Sequence, residues 1–145
     1  MKFLNARVWL IIFGAMILLG GALTAIGAES IALDEWGDLD GQALDIAIAL
    51  EVAWGSILSV WGASIIVITL SLQRARGRAR SGAISVVAVF LSQIVAVGAL
   101  SNLGYGEGGG PGFAIAVPLI IAIITLISCI RDWNATTAST PEPAA

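Results

Sequence analysis

Histidine is absent from this sequence, and cysteine and lysine occur once each, as Cys129 and Lys2. A lone cysteine rules out an internal disulfide framework, and without histidine there is no Cys/His zinc site. The commonest general base is missing as well, and no hydroxyl or thiol has an evident base beside it. No enzyme, metal site or cofactor is therefore expected. Charge is also scarce: 12% of residues are Asp, Glu, Lys or Arg, where a soluble domain carries about a quarter. What fills the space is apolar, at 58% of the chain with a mean hydropathy of +0.95. Those proportions put the 145 residues among membrane proteins, as a single domain.

A helix needs about 20 predominantly apolar residues to cross the hydrocarbon core. Four stretches qualify, over about 8–28, 44–72, 83–103 and 113–130. Four runs of this length leave too little polar surface to cover them in water. The expected fold is an all-α, four-helix transmembrane bundle over residues 1–133, with a disordered polar tail, NATTASTPEPAA, over 134–145. The opening run also has the outline of a signal peptide, with Ala25 and Gly27 near its end. Its apolar part exceeds the usual length of about 7–15 residues, so retention as a span is the reading adopted.

The connections differ in chemistry. ESIALDEWGDLDGQALD joins the first two spans and is acidic, and LQRARGRARSG joins the second and third. SNLGYGEGGGPG joins the third and fourth, with six glycines from Gly104 to Gly112. Given four spans, all seven basic residues fall on one side: Lys2, Arg7, Arg74, Arg76, Arg78, Arg80 and Arg131. Basic residues in short loops are held in the cytoplasm, which places both termini there, in a plasma (inner) membrane. The acids Glu29, Asp34, Glu35, Asp38, Asp40, Asp45 and Glu107 fall on the opposite side. Trp9 and Trp133 lie near the inner ends of their spans, and Trp36 and Tyr105 in the outer loops, depths that suit amphipathic rings.

Arg74, Arg76, Arg78 and Arg80 read as an anchor to anionic lipid of the inner leaflet, worth about 1 kcal/mol per basic residue near the surface. They lack the aromatic interleaving of a nucleic-acid site, and no nucleic-acid partner is expected. Glu51, inside DIAIALEVAWG, is the sharpest intramembrane candidate. An ionisable group at a helix centre costs about 2.5–3.5 kcal/mol and usually faces protein or water. Gly55, Leu58, Ser59 and Gly62 share its helical face, a small-residue face suited to packing. Depth offers the plainer account, because about 20 residues counted back from Gln73 end near Ala53 and leave Glu51 at the outer headgroups. Gln93 lies mid-span and needs partners from another helix, such as Ser56, Ser59 or Thr125. Ser85, Ala88, Ser92, Ala96 and Ala99 form a second stripe of small residues.

Other patterns carry less. Pro118 removes the bond to the carbonyl of Ala114 and shapes the first turns of the fourth span. Gly104, Gly106 and Gly109 match G-x-G-x-x-G, but nothing here supplies the strand before it and the helix after it. DLDG in the acidic loop fails as an EF-hand, since Trp36 and Ala47 would stand where carboxylates belong. Leu33, Trp36 and Leu39 could rest a short amphipathic helix on the membrane. Asn134-Ala135-Thr136 is a glycosylation sequon made inert by a cytoplasmic position.

Three features give the chain a family look: the glycine-containing EVAWGSILSVWG, the basic turn RARGRAR, and VGALSNLGYGEGGGPG after the third span. In this layout the chain resembles small four-span bacterial membrane proteins of the DoxX-like type and related families of unknown function. The resemblance implies two helical hairpins joined by a short basic inner connection. Those families often carry an arginine near the start of the second span, where this chain has Asp45 and Glu51. No site residue is carried over. Two functions remain open: a non-catalytic accessory or envelope component, with a partner subunit or as a homo-oligomer, or a small transporter or channel subunit using Glu51, Gln93 and Ser59.

Overall fold

The computed structural model describes residues 4–36, 39–102 and 112–138. They form five helices, α1 (Ala6–Ile26), α2 (Ala28–Trp36), α3 (Gly41–Ser71), α4 (Ala75–Asn102) and α5 (Gly112–Ala138). Four of these, α1, α3, α4 and α5, are long and apolar enough to cross a membrane. The chain is thus an all-α protein with the makings of a multi-pass bundle.

Local chemistry sets the helix ends. Asn5 is extended and accepts the Arg7 N–H through its side chain at 2.9 Å, so α1 starts on a capped turn. At Gly27 the chain turns out of α1 into α2, which the polar Glu29 opens, just where the apolar run ends. Gly41, first in α3, has a φ of +52°, the left-handed region where a side chain is strained and glycine is not. α3 has 31 residues, and at about 1.5 Å per residue it outreaches a hydrocarbon core of about 30 Å. α2 covers its first turns, burying Ala28 and Ala32 while α3 buries Ala47.

α1 is the hub. It packs on α2, α3, α4 and α5, whereas α3 and α5 do not touch among the described residues. The α1–α3 seam is antiparallel and built on glycine. Gly14 and Gly21 on α1, seven residues apart, meet Gly62 and Gly55 on α3, also seven apart. A Cβ at Gly55 would stand 2.5 Å from both the Gly21 oxygen and the Ala25 nitrogen. At Gly62 it would land on the Leu18 amide and 2.5 Å from the Gly14 oxygen. Backbones this close gain dispersion contacts along their whole length, the main force between helices in lipid, where the hydrophobic effect is spent.

On its other face α1 presents Leu10 and Phe13, both fully buried, to Ala83, Val86 and Val89 of α4, Ala122 and Cys129 of α5, and Ile65 of α3. This shared core lies in the half of the bundle that holds the start of α1 and the end of α5. In the other half Leu19, Leu23, Ile94 and Val95 are largely exposed, so the surface left to lipid is broad.

The helices overrun the expected spans at the polar ends. α4 begins at Ala75, inside the arginine stretch expected as a connection. Arginine and alanine are good helix formers, and the extra turns cost nothing in water. α5 likewise runs through Asn134–Ala138, the start of the stretch expected to be disordered. It passes Pro118 without a break. The glycine loop 103–111, with Tyr105 and Glu107, and the tail from 139 lie outside the described residues, as do Lys2 and Asp38.

Candidate functional site

The seam between α1 and α3 places Glu51. Ala47 and Gly55, one turn to either side of it, are both buried, so Glu51 shares the face that α3 turns to α1 and α2. It is half-buried, on the outermost turn of that face before α2 begins to cover it. Glu51 thus lies on the packing face of α3, at the end of the bundle that holds α2.

Across from it, Glu35 follows the buried Ala32 by three positions on α2 and faces the same way. Although much of Glu35 is open to solvent, partial burial holds its carboxyl above the ordinary range, and the negative charges of Glu51 and then Asp34 push it in the same direction. Glu35 thus feels the charge of Glu51 where α2 meets α3. Sequence reasoning treated Glu35 only as one of several loop acids. The helical spacing Ala28–Ala32–Glu35 was the signal that could have paired it with Glu51.

Ser59 lies further along the same seam. Its hydroxyl is 2.9 Å from the Gly55 oxygen and 3.3 Å from the Leu18 oxygen, so it serves the contact between helices. Thr125 does the same on the other side of α1, with its hydroxyl 2.6 Å from the Ile121 oxygen and 3.3 Å from the Trp9 oxygen. Neither hydroxyl is engaged with Gln93. That residue is half-buried on α4, one turn beyond Val89 on the face α4 turns to α1. The structure therefore brings Glu51 and Ser59 onto one seam and leaves Gln93 on another.

At the opposite end the four arginines separate into roles. Arg78 donates from Nη1 to the Leu72 oxygen at 3.0 Å, closing the turn between α3 and α4. Its Nε is buried without a partner. The Arg80 guanidinium lies 5.9 Å from the centre of the Trp133 ring, a cation–π contact worth about 0.5–1 kcal/mol at an exposed site. Arg74 and Arg76 are exposed and enter neither contact. The start of α1 joins this end through the Ala6 N–H, which donates to Asp132 Oδ2 at 3.1 Å. Every described basic residue is thus at one end, with α2 and its acids at the other. Trp9 and Trp133 lie at the basic end, as expected.

Among the described residues no group of three or more His, Cys, Asp or Glu could hold a metal ion. No protein-family model matches the chain, and no curated protein or solved structure matches it. The likeness to DoxX-like proteins therefore rests on layout alone.

Proposed function

We propose that the chain is a non-catalytic, multi-pass component of the plasma membrane, with both termini cytoplasmic, acting as an accessory or envelope subunit beside itself or another membrane protein. The observation that carries this reading is the α1–α3 seam. It is closed by glycine backbones in contact, and a seam packed this tightly leaves no room for a solute between the helices. The broad exposed apolar surface supports a protein that meets lipid or other helices on most sides. The placement of α1 at the centre of the fold favours its retention over cleavage as a signal peptide. The separation of basic and acidic ends supports the cytoplasmic assignment of the termini.

A second reading has one observation behind it: Glu51 is half-buried on a packing face, and Glu35 feels its charge. In that reading the carboxyl pair takes up a proton or cation at the mouth of a path. One experiment separates the two. The tagged full-length chain is purified in mild detergent, weighed with whatever accompanies it, and reconstituted into vesicles for flux measurements. A fixed ratio to a second membrane protein or to further copies, without flux, is the expected result. A lone chain that conducts protons or cations, and stops doing so as Glu51→Gln, would overturn it.

A further inference from the structure

The core shared by α1, α4 and α5 stops part-way along them. On α1 the fully buried Phe13 is followed on its own face by Ile17, Gly20 and Thr24, and none of these three is buried. On α4 the same core face runs through Val86 and Val89 to Gln93, which is half-buried, and no described residue of α4 beyond Val89 is buried. On α5 it runs from Thr125 and Ala122 back to Pro118, again half-buried. All three helices continue past these points. The α4–α5 hairpin is tied to α1 at the basic end, where Ala6 bonds Asp132 and Thr125 bonds the Trp9 carbonyl. Its packing on α1 ends near the middle.

Three unmatched features are level with one another just beyond that point. Leu10 lies against Gly82, and eleven residues on from each stand Gly21 and Gln93. Thr125 meets Trp9, and eleven residues away, backwards on α5 and forwards on α1, stand Ala114 and Gly20. Gln93 is held in no hydrogen bond among the described residues. Pro118 has no N–H, so the Ala114 carbonyl loses its helical donor. Gly20 has nothing within 4 Å of where a Cβ would stand, whereas its neighbour Gly21 is in close contact with α3. Lipid offers no hydrogen bonds to an amide or a carbonyl left in this state. The two groups complement each other, and a glycine beside them leaves room for approach.

We propose that the bundle has a second, closed arrangement, in which the halves of α4 and α5 far from the basic end close over Gly20 of α1 and the Gln93 side-chain NH2 donates to the Ala114 carbonyl. The proposal rests on reading the chain as a membrane protein and goes beyond its accessory role. The basic-end contacts serve as the pivot, because they already hold all three helices. Closing extends the core of Phe13, Val89 and Ala122 by further turns and gives each orphaned polar group a partner. The glycine on α1 is what admits the other two helices, since a larger side chain at that position would hold them apart.

Electron spin distance measurements on the full-length chain in phosphatidylcholine vesicles test this. In a Cys129→Ser background, spin labels replace the exposed Leu23 of α1 and Ile94 of α4. A second pair replaces the exposed Ile12 and Ile84, nearer the pivot. The expected result is two distances for the outer pair and one for the inner pair. Gln93→Leu lowers the shorter-distance population about threefold, the weight of one hydrogen bond between membrane helices. Pro118→Ala, which gives Ala114 its donor back, lowers it equally, and the two changes together lower it no further. Gly20→Leu, a substitution into open space, abolishes it. Circular dichroism and a monodisperse elution profile show that each variant is folded. A single outer distance unchanged in every variant overturns the proposal. A short distance that survives both Gln93→Leu and Pro118→Ala does so too, as does an inner pair that moves with the outer one, which would mean general loosening. Flotation of the labelled chain with the vesicles checks the membrane reading separately. A chain that fails to float overturns that reading and the closure with it, whereas the distances bear on the closure alone.

Discussion

At Gly55 and Gly62 a hydrogen stands where any other residue would put a carbon, and the space for that carbon is already taken by the backbone of α1. Gly55→Ala or Gly62→Ala should therefore destabilise the protein by about 1–3 kcal/mol, the usual cost of overpacking. Gly20 and Gly98 make the control, because nothing lies within 4 Å of a Cβ at either. Alanine there should be neutral or stabilising by up to about 1 kcal/mol from helix propensity. Thermal unfolding of the four variants in one detergent would check the contrast, and equal midpoints would refute it. Glu35 gives a second expectation at this scale. Its carboxyl titrates above the ordinary value because of burial, then Glu51, then Asp34. The folded state thus holds the proton to a higher pH than the unfolded chain does. The resulting stability is present in full below the unfolded value and is lost as pH rises through the folded one. Glu51→Gln should move the Glu35 titration back towards the ordinary range, as followed by carboxyl NMR. No change would mean that the two side chains are not close neighbours.

The helix boundaries show what a sequence makes legible. All four spans could be read directly, because a run of about 20 apolar residues has few other uses. The helical nature of the arginine stretch was missed, because a charge-rich run between spans reads as a connection while its propensity favours helix. The partner of Gly55 and Gly62 was also missed. The matching seven-residue spacing of Gly14 and Gly21 is present in α1, but only contact across the seam gives it meaning. Glu51 was recognisable as exceptional, but its neighbour Glu35 was not, because the spacing Ala28–Ala32–Glu35 gains meaning only once α2 packs on α3. At the element level the start of α1 depends on α5. The Ala6 N–H finds its acceptor in Asp132, a carboxylate set at the positive end of the α1 dipole. Asp132→Ala should cost about 1 kcal/mol, in the range for loss of a helix cap. Asp132→Asn, which keeps an acceptor oxygen, should cost less. Unfolding midpoints of the two variants would rank them, and a reversed order would count against the cap.

The whole molecule is organised around one helix, with the α3 and α4–α5 sides held together largely through α1. Its charge asymmetry gives a direct expectation. In a Cys129→Ser background, Asp34→Cys should react with a membrane-impermeant reagent added to intact cells, and Arg76→Cys only after the cells are opened. Labelling of both from outside would remove the four-crossing topology, and with it the cytoplasmic assignment of the termini. The bond between Ala6 and Asp132 has one further consequence. The two residues are separated by 126 positions, so α1 is synthesised well before the carboxylate that accepts its opening N–H. At about 5–20 residues per second that interval is roughly ten seconds. Throughout it the Ala6 N–H must be met by water, and a chain that stalls before α5 never forms that bond.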